Sequence, residues 1–327
     1  MKIKLKAKKK DFYVLERDGV TQSLLAMFLA CRQKARFYLQ GWNSRFVSNA
    51  LMYGALGHGM LELAYKDVLG GKLKSVPAKA AIVQYSKAVE KEWLRENPKV
   101  KGETIEQLET SLALLEETLP RYFAFWKKDF KDVKWKGLEK QFDILVDVGG
   151  VKIRIRGKKD GRFTLRNELW VLETKTKSMI NEQDLVDALS LDLQVNLYLW
   201  ADWAEYKEMP TGVLYNIIRK TAIKPRTNET IPQYARRVGE DMDDRPEFYF
   251  VRLEVPILKQ DMLAFKAELA GLLGDFKAWC DGKAPHYKNP HSCVTKYGKC
   301  EYLAACAQGD FSNLVKRDRV FKELEDF

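Results

Sequence analysis

From about residue 137 the chain stops repeating apolar residues every three or four positions and begins to alternate them. Leu138 to Val148 and Val151 to Arg156 alternate around Gly149-Gly150, a hairpin-type turn signal. Leu169 to Thr174 and Gly212 to Arg219 read as further short apolar strands, and the stretch between them, roughly Glu182 to Tyr206, reads as a helix. A helix joining two strands is a crossover, and a crossover implies a parallel pair. The expectation is an α/β fold around a mixed sheet.

The flanks have another character. Residues 20–40 read as a helix on Leu24, Leu25, Phe28, Leu29 and Cys31, and residues 45–69, 79–96 and 103–128 as three more. Gly54, Gly57 and Gly59 interrupt the second of these, at about 1 kcal/mol each relative to alanine, which invites a packing or functional reason. Residues 225–247, with Pro225, Pro232 and Pro246, read as an exposed loop, Phe248 to Pro256 as a possible strand, and 257–281 as helix. The division expected is a mostly helical region over 1–136, a core over 137–256, and a helix with a cysteine-bearing region over 257–327. No fixed-period repeat is present.

Lys plus Arg number 56 against 45 acids, a net charge of +11 that favours a polyanionic partner. The longest uninterrupted apolar run, Leu24 to Cys31, is far short of the roughly 20 residues a membrane span needs. The Lys-rich start (Lys2 to Lys10) is not followed by the apolar stretch and cleavage site of a secretory signal, so a cytoplasmic setting without a membrane is expected. Five cysteines in such a setting argue against a disulfide framework and leave metal binding or inert buried thiols.

The chemistry concentrates at the end of the strand over 169–175. Period-2 alternation puts Glu173 and Lys175 on one sheet face. Asp160, in Gly157-Lys158-Lys159-Asp160-Gly161, follows the preceding strand, and a turn within Arg162 to Glu168 can bring it beside Glu173. Adjacent carboxylates repel unless protonated or neutralised, and a divalent cation neutralises them. Mg²⁺ takes one or two carboxylates with phosphate oxygens and waters, while a neighbouring ammonium can orient the attacking water. Taken alone, a Glu-x-Lys tripeptide is more often an exposed pair on an edge strand.

These residues have company. Gly-x-x-Asp-Gly, then Leu169-Trp-Val-Leu-Glu173-Thr-Lys175-Thr, resembles the PD-(D/E)XK nuclease superfamily in its RecB-like branch, which includes AddB-type and CRISPR-adaptation exonucleases. Gln194-Val-Asn-Leu-Tyr198 looks like that branch's Q-x-x-x-Y motif, and Gly54-Ala-Leu-Gly-His58, with Glu62 following, resembles its G-x-x-x-H motif. The resemblance spans about residues 20–306. It implies a restriction-endonuclease-like core, with His58, Asp160 and Glu173 as ligands of Mg²⁺ or Mn²⁺. It gives Lys175 the placing of the hydrolytic water, and Gln194 and Tyr198 the support of DNA or of that lysine. Glu173 departs from the aspartate frequent in the family, a change of one methylene that the superfamily pattern accepts.

Cys293, Cys300 and Cys306 are separated by six and five residues. Spacing alone permits half a zinc site, a cluster site, or nothing. The resemblance implies a [4Fe–4S] cluster on Cys31, Cys293, Cys300 and Cys306, with basic neighbours Arg32, Lys296 and Lys299. The first gap is longer than the commonest family spacing of two, which leaves Cys280 as an alternative to Cys293, and His286 and His291 keep a Cys/His zinc site open.

The expected function is a metal-dependent DNA exonuclease in recombination, repair or phage DNA processing, in the cytoplasm of a bacterial or phage-infected cell. The alternatives are a structure-selective endonuclease and a non-catalytic Fe–S DNA-binding module. Basic and aromatic residues interleave over Arg32 to Arg45 and Trp126 to Lys136, which suits single-stranded DNA or frayed, free ends but also describes an amphipathic helix. No G-x-x-x-x-G-K-[S/T] is present, so unwinding would fall to a separate helicase or recombination protein.

Overall fold

A computed structural model describes residues 11–46, 48–98, 100–295, 298–321 and 324. The lysine run over 2–10 and Lys296 lie outside the described residues. The principal helices are α1 (Gln22–Ala30), α2 (Arg32–Leu39), α3 (Asn49–Leu69), α4 (Lys79–Glu96) and α5 (Glu103–Phe125). Next come β1 (Lys134–Val148), β2 (Val151–Leu165), β3 (Glu168–Lys177), α6 (Glu182–Leu189), α7 (Leu193–Tyr206) and β4 (Gly212–Arg219). The order ends with α8 (Ile231–Asp244), β5 (Phe250–Pro256), α9 (Lys259–Cys280) and α10 (Leu303–Gln308).

The protein is a mixed α/β structure with a five-stranded sheet in the order β1-β2-β3-β4-β5. β3 and β4 are parallel, as the crossover through α6 and α7 requires, whereas β2–β3 and β4–β5 are antiparallel. Two compact units divide the chain, one over 47–140 and 159–262, the other over 11–46, 141–158 and 263–327.

In the first unit α3, α5 and α8 bury Leu56, Met60, Leu115, Leu119, Val238 and Met242 against Phe163, Leu172, Leu214 and Ile218 of the sheet. The glycines of α3 have a packing reason. A Cβ on Gly59 would stand 2.8 Å from Val89 Cγ1, and one on Gly54 3.2 Å from Thr176 Oγ1. Their absence lets α3 lie close to α4 and β3. α7 is tied to β2 by buried charge: Lys159 Nζ is 2.9 Å from both Asp202 Oδ1 and Glu205 Oε2, and Arg162 Nε is 3.0 Å from Asp202 Oδ2. Buried charges persist only when paired in this way.

In the second unit Phe28 of α1 packs on Phe276 and Trp279 of α9, both with ring centroids at 5.2 Å. A separate small core joins Phe37, Tyr302, Ala305 and Leu314. The basic and aromatic residues of 32–45 are largely engaged inside this unit: Arg32 lies over the rings of Phe28 and Tyr287, Lys34 pairs with Glu301, and Trp42 packs on Phe311.

Four local readings change. The helix expected over 20–40 breaks at Cys31, whose φ of −166° is extended. The helix expected over 182–206 splits into α6 and α7, because Asp192 Oδ1 accepts the N–H groups of Gln194 and Val195 and starts a new helix. The stretch 225–247 is not a loop throughout. Thr230 and Gln233 form a capping box, Pro232 sits in the first turn where its missing N–H costs nothing, and α8 buries Tyr234, Ala235, Val238 and Met242. Finally, Asp160 lies within a strand rather than after one. β2 continues to Leu165 and turns at Arg166 and Asn167, both at positive φ (55° and 66°) as a tight hairpin turn demands.

Candidate active site

β3 carries the centre. Its apolar stretch Leu169–Leu172 is buried, as suits a strand covered on both faces. The β2–β3 ladder runs from Leu165↔Glu168 to Gly161↔Leu172, so Asp160 and Glu173 are the next residues at its end. Asp160 Oδ2 accepts the N–H of Thr174 at 2.7 Å, which locks the carboxylate against β3. From α3, His58 Nδ1 comes within 3.7 Å of the same Oδ2.

Glu173 is 2% exposed. Its Oε1 is 2.6 Å from Lys175 Nζ, while its Oε2 is buried with no hydrogen-bond partner among the described residues. Lys175 Nζ also donates to Gln194 Oε1 at 2.9 Å. Gln194 opens α7, where the Asp192 cap fixes it, and Tyr198 stands one turn further along, half-buried. Burial, with Asp160 adding to it, pushes the Glu173 carboxyl up to about 7, against the opposing pull of Lys175 and His58.

The expected set was His58, Asp160 and Glu173. Among the described residues, the group of three donors lying within 4.8 Å of one another is His58, Glu139 and Asp160, with Glu173 beside it and turned to Lys175. Glu139 was not anticipated. It sits on β1 at φ +49°, in the left-handed region that a non-glycine residue occupies at a cost of order 1–3 kcal/mol. Two consecutive buried residues, Gly137 and Leu138, break the alternation of β1 just before it. No local signal in Lys-Gly-Leu-Glu-Lys announces that irregularity. Glu62, which follows His58 by one turn, pairs with Lys66 on the same helix.

An imidazole and two carboxylates converge on a volume a single ion could fill, and one oxygen of a third carboxyl lacks a partner. The donor set, nitrogen plus carboxylate oxygens, suits a hard or borderline divalent cation.

The second unit holds the cysteines. Cys31, Cys293, Cys300 and Cys306 line one cavity with Lys34, Lys288 and Tyr302. Asn289 N–H donates to Cys31 Sγ at 3.4 Å, and its side-chain amide donates to Ala30 O at 2.8 Å. The Cys300 N–H donates to Cys293 O at 2.8 Å. Burial pushes the Cys306 thiol up, Lys288 opposes this, and Cys293 and Cys31 add to it. Cys280 stands elsewhere, beside Tyr13, Trp279 and His286, with its thiol pushed up to about 12 by burial and by Asp281. His286 packs edge-on against Trp279, and His291 is exposed. No three of the four cavity sulfurs fall within 4.8 Å of one another. A tetrahedral zinc thiolate, with Zn–S of ~2.3 Å, would hold its sulfurs ~3.8 Å apart.

No protein-family model and no curated protein matches the chain. Among solved structures, that of SSO0001 is similar over 76% of this chain and 96% of its own, at 15% identity and a TM-score of 0.31. A protein named "Putative exonuclease" from Eubacterium rectale is similar over 74% of this chain and 85% of its own, at 15% identity and a TM-score of 0.38. Likeness this loose fixes neither the fold family nor the activity. No described helix is long and apolar enough to cross a membrane.

Proposed function

We propose that the chain is a metal-dependent DNA exonuclease of the PD-(D/E)XK type, RecB-like branch, hydrolysing phosphodiester bonds from single strands or free ends. The observation that carries this reading is the partnerless Glu173 Oε2 beside the His58, Glu139 and Asp160 donors, with Lys175 suspended between Glu173 and Gln194. His58, Glu139, Asp160 and Glu173 would hold Mg²⁺ or Mn²⁺. Bound there, such an ion supplies neutralisation of the acids and of the charge that builds on the phosphate oxygens. Lys175 holds the attacking water toward phosphorus, while Gln194 keeps the ammonium in place. Water oxygen gives up a proton to solvent as it bonds to phosphorus, one ester P–O bond breaks, and the departing oxygen takes a proton from solvent. Tyr198, on the same helical face as Gln194, supports the lysine or the DNA.

The four cavity cysteines would hold a [4Fe–4S] cluster. Their shared cavity supports this, as does spacing wider than zinc requires. In that role the cluster staples α2 to the C-terminal region within one unit. DNA recombination, repair or phage DNA processing in the cytoplasm is the setting this chemistry serves, with unwinding supplied by a separate helicase or recombination protein.

End-labelled linear DNA and covalently closed single-stranded circles, each incubated with Mg²⁺ or Mn²⁺, test the reading. Linear DNA should be degraded and circles spared, with loss of activity in Lys175→Ala. Equal degradation of linear DNA by wild type and variant would overturn the catalytic assignment, and rapid cutting of circles would make the enzyme an endonuclease.

A further inference from the structure

β3 and β4 end together, and two lysines stand at that end. Lys177 closes β3, and the N–H of Lys220, just past β4, donates to Lys177 O at 2.9 Å. Alternation places Glu173, Lys175 and Lys177 on one sheet face, with their parallel partners Tyr215, Ile217 and Arg219. The Lys177 ammonium lies 5.1 Å from the Tyr215 ring centroid, and that of Lys220 4.8 Å from the Tyr53 ring centroid. Both lysines are half-buried, and among the described residues both rest on aromatic rings rather than in ion pairs. Asp192, the acid acting on Lys177, already spends its Oδ1 on the two N–H groups that open α7. Burial lowers the pKa of each lysine. Lys175 adds to the effect on Lys177, and Lys224 to that on Lys220.

A half-buried cation without a carboxylate partner is costly unless an anion arrives to meet it. The rings hold each ammonium in place by cation–π attraction without neutralising it. Two residues along a strand span roughly 6.6 Å, so Lys177 lies about one nucleotide step beyond Lys175. We infer that this strand end, through Lys177 and Lys220, binds the backbone phosphates flanking the scissile one and so sets the path of the DNA strand across the site. The inference rests on the nuclease reading and adds to it the residues that grip the substrate away from the reacting atoms.

The test measures binding of a fluorescent single-stranded oligonucleotide across a salt series, with Ca²⁺ as the divalent ion, for wild type, Lys177→Gln, Lys220→Gln and Lys91→Gln. Lys91 is an exposed lysine of α4 and serves as the control. Each neutralised phosphate contributes about 0.7 to the slope of log K against log salt for a single strand. Lys177→Gln and Lys220→Gln should each lower the slope by ~0.7, and Lys91→Gln should leave it unchanged. Unchanged slopes in both variants, or an equal drop in Lys91→Gln, would overturn the inference while leaving the nuclease reading intact. Failure of wild type to bind DNA at any salt would overturn both.

Discussion

The two candidate centres solve opposite problems. The centre on β3 gathers the carboxylates of Glu139 and Asp160 around His58 and leaves a buried oxygen of Glu173 without a hydrogen-bond partner among the described residues. In the cysteine cavity burial pushes the Cys300 and Cys306 thiols up, and both sulfurs gain charge when a metal displaces the proton. The acids are also spaced for one ion, whereas the sulfurs are spread wider. On the proposed reading, the first is a hard site for a small divalent cation and the second a soft site whose occupant would be structural.

The largest effect should come from the first centre. Glu173→Gln and Lys175→Ala should each lower cleavage by about 10²–10⁴-fold while circular dichroism shows the fold retained. Next in size is the contrast between the centres. A chelator such as EDTA should abolish cleavage yet leave the iron and its broad absorbance in place, whereas Cys306→Ser should lose iron and lower the melting temperature. If the purified protein is colourless and binds zinc stoichiometrically, the soft site has been misassigned while the hard one stands.

A smaller effect concerns pH. The Glu173 carboxyl sits at about 7 in the fold, above its ordinary 4.5. Between those values the folded protein holds a proton that the unfolded chain has released, so stability of the metal-free protein should fall as pH rises from about 4.5 to 7 and level off beyond. Denaturation midpoints at pH 5 and pH 8 check this, and either Glu173→Gln or added Mg²⁺ should flatten the dependence. The smallest effect is confined to packing. Gly59→Ala gains about 1 kcal/mol of helix propensity but drives a methyl into Val89, so it should destabilise by about 1 kcal/mol net in urea titration.

The parallel pair and the placing of Glu173 and Lys175 on one sheet face were legible because they depend on short-range pattern. An apolar run followed by Glu-x-Lys puts Glu173 and Lys175 on one face whatever the rest of the chain does, and a helix between two strands leaves few topologies open. The approach of His58 to Asp160 was expected only through the resemblance, while the glycines of α3 asked for a close neighbour and have it in Thr176 and Val89. Glu139 was hidden because its position depends on an irregularity in β1 and a left-handed backbone, which only tertiary packing stabilises. The helix α8 was missed for a related reason. Three prolines were given the weight of breakers, although Pro232 occupies a first-turn position where proline is favoured. The break at Cys31 owes nothing to local periodicity, since the apolar spacing runs straight through it; contacts of Asn289 meet the chain there instead.

The most direct measurement is a Mn²⁺ titration of the metal-stripped acid centre, followed by electron paramagnetic resonance, for wild type, Asp160→Asn and Glu139→Gln. Saturable binding by wild type, weakened at least tenfold in each variant, is the predicted result. Binding of equal strength in all three proteins, or none in any of them, would contradict the claim that these side chains converge on a hard cation.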